Sequence, residues 1–256
     1  MNKLSIIIIA KNEGENIKEC LKSVKWADEI VVVDDMSTDR TVEICRQYPN
    51  VKVYEKKMEG FGPQKNYALS KATGEWILSL DADERVPQLL REEILTKITQ
   101  GKHDGYCIRR NNLVFGKWML DYKAVNLRLF RKEKGKFSSK KVDEKVMLEG
   151  DTGILQNPLL HAPFSHSSVT NYIKIVVGQR SSYTADDLYN MGRRVTIKNC
   201  LDYFFLRPIF IFFQKFFSKK GYRQEFRGFL LSVLAAIAYF VSYIKLLKKQ
   251  NQNKGK

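Results

Sequence analysis

An α/β fold with a mostly parallel sheet, helices on both of its faces and an apolar helical appendage at the C-terminus is what this 256-residue sequence predicts. Three observations lead there. The first hundred residues alternate short apolar runs with segments of helical periodicity. Each run ends in polar or acidic residues. From residue 201 onward the chain turns to Phe- and Ile-rich runs edged by Lys and Arg.

Leu4–Ala10 is an isoleucine-rich run, too short for a signal-peptide core and suited to a first strand. Ile17, Cys20, Leu21 and Val24 then share one helix face. Glu29–Val33 is a second strand ending in Asp34 and Asp35. Ser37 or Thr38 is placed to cap a helix reaching Tyr48. Val51–Tyr54 is a third strand. Gly62-Pro63 opens a helix to Ala72, with Pro in the first turn. Trp76–Leu80 is a fourth strand, and Pro87 begins a helix to Ile98. Continuous apolar strands alternating with helices imply parallel strands buried on both faces. Residues 105–160 hold shorter β pieces (Tyr106–Arg110, Leu127–Arg131, Val142–Leu148), and Val169–Arg194 has a helical pattern.

Ile77–Glu84, Ile-Leu-Ser-Leu-Asp-Ala-Asp-Glu, concentrates the chemistry. Side chains i and i+2 of an extended chain point the same way, so Asp81 and Asp83 emerge together at a strand end. Two carboxylates that close call for a cation near them. Mg²⁺ takes few protein carboxylates and fills its shell with water and phosphate oxygens. In such sheets ligands bind beyond the carboxyl ends of the strands. Lys11-Asn12-Glu13 and Asp34-Asp35 fall at equivalent positions. There is no Walker A loop and no GxGxxG, which counts against P-loop kinases and dinucleotide dehydrogenases.

The chain has 44 Lys and Arg against 28 Asp and Glu, a net charge of +16 that invites phosphorylated, lipidic or nucleic acid partners. Within residues 201–256, Asp202 and Glu225 are the acids among a large excess of Lys and Arg. Because this excess borders apolar helices, it fits an anionic membrane surface better than a nucleic acid. The uncharged stretch Phe229–Ile244 is short of the ~20 residues of a spanning helix, so an interfacial or re-entrant hairpin is expected. The four cysteines show no metal or disulfide spacing and are expected to be reduced thiols.

Four motifs together resemble the family 2 glycosyltransferases of GT-A fold, a Rossmann-like sheet with helices on both faces. They are Ser5–Glu13, Ile30–Thr41, Gly60-Phe-Gly-Pro-Gln-Lys-Asn66 and Leu80–Glu84, in family order and spacing. Gly135–Val146, Leu160-His161 and Tyr172-Ile-Lys174 narrow the likeness to bacterial lipopolysaccharide-core glucosyltransferases. The resemblance implies a UDP-sugar donor, with Asn12, Glu13 and Asp35 or Asp34 at the uracil and ribose. Lys65 and Asn66 would help hold the nucleotide, and Asp81 would lie near the ribose. Asp83 would ligate Mg²⁺ or Mn²⁺, with His161 as a second ligand or diphosphate contact. Relatives place an acid in a segment like Val142-Asp-Glu-Lys-Val146, which makes Glu144, or else Asp143, the general base. Arg128 or Arg131 is a candidate contact for a phosphate or acidic sugar, and Tyr172 and Lys174 for the acceptor.

The reading is therefore an inverting hexosyltransferase with a lipid-linked or oligosaccharide acceptor, on the cytoplasmic face of the cell membrane. Residues 1–100 form its nucleotide-sugar half, 101–200 its acceptor half and 201–256 its membrane-associating segment. A nucleotidylyltransferase would need a Gly- and Arg-rich first loop, which Ala10–Gly14 is not. A non-catalytic membrane scaffold would not require Asp81, Asp83 and Glu144 together.

Overall fold

The computed structural model describes residues 3–119, 125–139, 144–218 and 220–252. They fall into two compact units, residues 1–113 with 118–164, and residues 114–117 with 165–256.

The first unit opens with β1 (Leu4–Ala10), α1 (Ile17–Val24), β2 (Glu29–Asp34), α2 (Thr41–Cys45) and β3 (Val51–Glu55). There follow α3 (Phe61–Lys71), β4 (Trp76–Asp81), β5 (Glu84–Arg85) and α4 (Gln88–Gln100). Further strands follow: β6 (Gly105–Val114), β7 (Lys117–Met119), β8 (Val125–Arg131), β9 (Gly135–Phe137), β10 (Val146–Leu148), β11 (Thr152–Ile154) and β12 (Leu159–His161). The main sheet runs β3-β2-β1-β4-β8-β6-β12-β5. β3, β2, β1 and β4 are parallel, and β8 is antiparallel to both β4 and β6.

The apolar strands are buried because helices cover both faces. On one face Ile6, Ile8, Ile30, Val32 and Leu78 pack with Ile17, Leu21 and Val24 of α1 and Leu90, Ile94 and Ile98 of α4. On the other, Ile7, Val31, Val33 and Ile77 meet Ala68 and Leu69 of α3 and Phe137 of β9. Each buried Ile, Val or Leu adds about 1.5–3 kcal/mol relative to exposure. Parallel pairing brings the carboxyl ends of β1, β2 and β4 to one edge: Ala10 lies opposite Asp34, and Ile9 opposite Asp81.

α2 is shorter than its sequence predicts. Asp34 Oδ2 accepts from Ser37 N at 2.7 Å, and Asn12 Oδ1 accepts from Thr38 N at 2.8 Å. Residues 37–40 are thus drawn into loop bonds that compete with helix, and the helix starts at Thr41.

At the opposite end of the sheet, buried Glu29 fastens three elements. It accepts from Ser5 Oγ at 2.5 Å, Thr73 N at 2.7 Å and Lys52 Nζ at 2.8 Å. Burial pushes this carboxyl up, but the bonds from Lys52, Ser5 and Thr73 outweigh it and hold its pKa at about 2, from 4.5. A depressed carboxylate stabilises the fold above its unfolded pKa, and that contribution is lost as pH falls from about 4.5 towards 2. Glu29→Gln is expected to lower the unfolding free energy at pH 7 by about 2 kcal/mol. In urea melts from pH 7 to pH 3 the gap to wild type should narrow; a constant gap would contradict the assignment.

The second unit is helical. α5 (Val169–Tyr172) runs through a wide-turn segment into α6 (Ser181–Asn190). α7 (Ile197–Leu201) and α8 (Arg207–Phe213) precede α9 (Glu225–Gln252). Ala185, Val195, Tyr203, Tyr243 and Leu246 form one core cluster, in which the Tyr203 and Tyr243 rings stack with centroids 4.6 Å apart. Lys245 Nζ donates to Ser181 Oγ at 2.8 Å and Ser182 Oγ at 2.7 Å. Tyr172 is buried with Val177 and Leu234, so it belongs to a core of this unit. The uncharged run at its centre is short, yet α9 extends through its flanks to 28 residues. The continuous helical stretch Gly221–Gln252, which includes α9, is long and apolar enough to cross a membrane by length and composition, with a mean hydropathy of 2.0 over its 18-residue apolar window.

Candidate active site

The loops after β1 and β2 build one wall. Asn12, at a left-handed φ of 53°, donates its N–H to Ser37 Oγ at 2.8 Å. Glu13 N donates to Thr41 Oγ1 at 2.8 Å, and Glu13 Oε2 accepts from Asn16 at 2.7 Å. Asp34 is buried and turned into Ser37. Asp35 pairs with Lys11 at 2.7 Å and accepts from Met58 N at 2.8 Å. Burial raises the Asp35 carboxyl, but Lys11 and the Met58 amide bring it below the usual range.

The end of β4 forms the charged centre. Lys65, from α3, is buried and bridges Asp81 Oδ1 at 3.1 Å and Glu144 Oε1 at 2.7 Å. Arg128, from β8, reaches Asp81 Oδ2 at 3.1 Å and Glu84 Oε1 at 3.0 Å. Glu84 is fully buried and its other oxygen accepts from Asp81 N at 3.0 Å. Burial alone would raise Asp81, but Arg128 and Lys65 hold its carboxyl well below the ordinary range. Burial pushes the Glu84 carboxyl up, against the pull of Arg128. Lys65, Asp81, Arg128 and Glu144 line a cavity of about 600 Å³ that also takes in Phe61, Ser79 and Phe137.

Asp83 points to His161: Oδ2 and Nε2 are 3.2 Å apart, and His161 Nδ1 lies 2.8 Å from Asn112 Oδ1. The pair is built by register, because β12 sets His161 opposite Glu84 of β5 and Asn112 of β6. Asn66 exchanges two bonds of 2.9 Å with the Phe137 backbone, one from its amide nitrogen and one to its oxygen. This ties α3 to β9. Asp143 lies outside the described residues.

The family described as Glycosyl transferase family 2 matches residues 5–147. The chain belongs to this family. An uncharacterized glycosyltransferase of Rickettsia prowazekii (strain Madrid E) is 32% identical over 98% of this chain and 90% of its own length. The lipopolysaccharide core biosynthesis glycosyltransferase LpsC of Rhizobium meliloti (strain 1021) is 28% identical over 96% of this chain and 92% of its own. Among solved structures, S. aureus TarS 1–349 in complex with UDP-GlcNAc aligns with a TM-score of 0.50 at 16% identity, covering 98% of this chain and 92% of that one. The fold is the GT-A fold expected from the motifs.

In this family 2 glycosyltransferase, the sequence pointed to the acids and to Lys65, Asn66 and Arg128, and not to Arg110 and Asn112. Arg110 and Asn112 sit on β6, which carries no motif. Arg128 and Arg131 were candidates for an acidic ligand, yet both are taken by the protein's own acids. Arg128 holds Asp81 and Glu84, and Arg131 pairs with Glu75 and Asp104.

The residues at the β4 end fit a hard divalent ion. Among the described residues no cluster of three or more His, Cys, Asp or Glu side chains could hold a metal. His161 is held between Asn112 Oδ1, 2.8 Å from its Nδ1, and Asp83 Oδ2, 3.2 Å from its Nε2. One carboxylate and one oriented imidazole make a sparse donor set that substrate oxygens can complete.

Proposed function

We propose that the protein is an inverting, metal-dependent glycosyltransferase that moves a hexose, glucose in the first instance, from a UDP-sugar to a glycolipid or lipopolysaccharide precursor. The observation that carries this reading is the cavity where Asp81, Lys65 and Glu144 meet, with the Asp83–His161 pair at the same strand end. A UDP donor is supported by the TarS neighbour, solved with UDP-GlcNAc. A lipopolysaccharide acceptor is supported by the LpsC likeness.

In this reading Asn12 and Glu13, with Asp34 or Asp35, hold the uracil and ribose. Lys65 and Asp81 face the ribose and diphosphate, with Asn66 fixing the α3 side. Asp83 and His161 would hold Mg²⁺ or Mn²⁺, which neutralises charge on the departing diphosphate. Glu144 takes the proton from the acceptor hydroxyl. The freed oxygen attacks the anomeric carbon on the face opposite the diphosphate. The carbon–oxygen bond to the β-phosphate breaks as the new one forms, and UDP leaves with the electron pair. Lys65 keeps the Glu144 carboxylate turned into the cavity.

The test is nucleotide release from UDP-glucose, UDP-GlcNAc and GDP-mannose with a rough lipopolysaccharide extract as acceptor. UDP release from a UDP-hexose, dependent on the acceptor, is expected. Release of GDP alone, or of neither nucleotide, would contradict the reading.

The second unit supports membrane attachment. Phe205, Phe210, Phe213, Phe217 and Phe226 are exposed, and Lys215, Lys220, Arg223 and Arg227 lie among them. Exposed aromatics flanked by cations suit an anionic cytoplasmic leaflet. The full chain is expected to float with phosphatidylglycerol vesicles and not with phosphatidylcholine. Replacing those four cations by Gln should weaken binding by roughly 10²–10³-fold, at about 1 kcal/mol per charge. Unchanged flotation would refute an electrostatic attachment.

A further inference from the structure

Four cations line the cavity at the β4 end: Lys65, Arg110, Arg128 and Lys145. Two carboxylates, Asp81 and Glu144, line it with them, and Glu84 is buried behind. Lys65 and Arg128 are each paired at about hydrogen-bond distance with two of these acids. Among the described residues, Arg110 is not held in this way. The carboxylate nearest to it among them is Glu84, 3.6 Å from Nη1, and that same oxygen already accepts from Arg128 at 3.0 Å. The Arg110 Nε is buried without a hydrogen-bond partner. The Ser79 Oγ, on the same cavity wall, is also buried and unpartnered. Lys145 is exposed beside Glu144 on the rim.

A buried guanidinium donor without an acceptor is costly, by the full desolvation of that group. Such a group is retained where a ligand supplies the acceptor. A guanidinium presents a planar fork that matches two oxygens of a carboxylate or phosphate. Neutral sugar hydroxyls would answer the donors but leave the surplus positive charge unmatched.

We propose that the part of this cavity around Arg110 is a subsite for an anionic acceptor, in which Arg110 binds a carboxylate or phosphate group of the glycan while Lys145 adds charge at the rim. The inference rests on the reading of Glu144 as the base, because the anion would fix which acceptor hydroxyl faces it. It makes Arg110 a determinant of acceptor specificity, distinct from the ribose and diphosphate contacts.

The test is calorimetric binding of three probes at millimolar concentration, glucose, glucose 6-phosphate and glucuronate, each with and without saturating UDP and Mn²⁺. Wild type is expected to bind at least one charged probe about tenfold more tightly than glucose, with UDP present. The phosphate and carboxylate probes tell the two kinds of anion apart. Arg110→Gln should bring the charged probes to within about twofold of glucose, and Arg110→Lys should keep part of the preference, since charge remains without the fork. Lys145→Gln, at an exposed position, should weaken the charged probes alone. Equal binding of all three probes by wild type would overturn the proposal. So would a preference that survives Arg110→Gln, or one that UDP abolishes, because the cations would then serve the donor diphosphate. If UDP fails to bind while the charged probes keep their advantage, the donor reading falls and the anion subsite stands.

Discussion

Replacing Asp83 by Ala is expected to abolish sugar transfer and, with it, the metal-dependent part of UDP binding. Asp83 Oδ2 lies 3.2 Å from His161 Nε2, and that imidazole is oriented by Asn112. Losing the carboxylate leaves a single nitrogen, too little to retain Mg²⁺ or Mn²⁺ against water. The variant should still fold, since Asp83 is near the surface of a turn and its backbone bond to Ala162 N, 3.0 Å long, does not use the side chain. Calorimetry of UDP with Mn²⁺ and with EDTA separates the two effects. In wild type the two titrations should differ, and in Asp83→Ala they should coincide. Full activity in the variant would sink the metal assignment.

Glu144→Gln is expected to leave UDP-sugar affinity near normal and to lower turnover by about 10²–10⁴-fold, the scale of general-base catalysis. Gln keeps the shape and can still accept one bond from Lys65, which now lies 2.7 Å from Glu144. It cannot take a proton. The loss should therefore fall on kcat with KM for the donor little changed. Equal losses in donor binding and in turnover would mean that Glu144 holds Lys65 in place and does no proton transfer.

How much of this was legible in the sequence follows from the range of each interaction. The strands announce themselves locally, because Ile6–Ile9, Ile30–Val33 and Ile77–Leu80 are mostly apolar runs followed by polar or acidic residues. Parallel pairing then brings those ends to one edge without further information. Asp81 and Asp83 were legible for the same reason. Their pairings were less so: His161 followed from the family resemblance, and Arg128 stood as a candidate for an acidic ligand. Both arrive from strands far along the chain, while Arg110 and Asn112 lie on a strand with mixed polarity. Only the register of β6, β8 and β12 brings them in. Asn66 illustrates the reverse. Its motif suggested a ligand contact, and the structure shows its amide bonded on both sides to the Phe137 backbone. The late start of α2 has a similar origin, because Ser37 and Thr38 bond to Asp34 and Asn12 instead of capping a helix.

The central claim, that this edge of the sheet binds a uridine diphosphate sugar through a divalent ion, is tested most directly by calorimetry of the full chain with UDP, GDP and CDP. Each is titrated with Mn²⁺ and again with EDTA. The account predicts binding of UDP that needs Mn²⁺ and exceeds that of GDP and CDP. Folded protein that binds none of the three, or binds all equally with EDTA present, would contradict it.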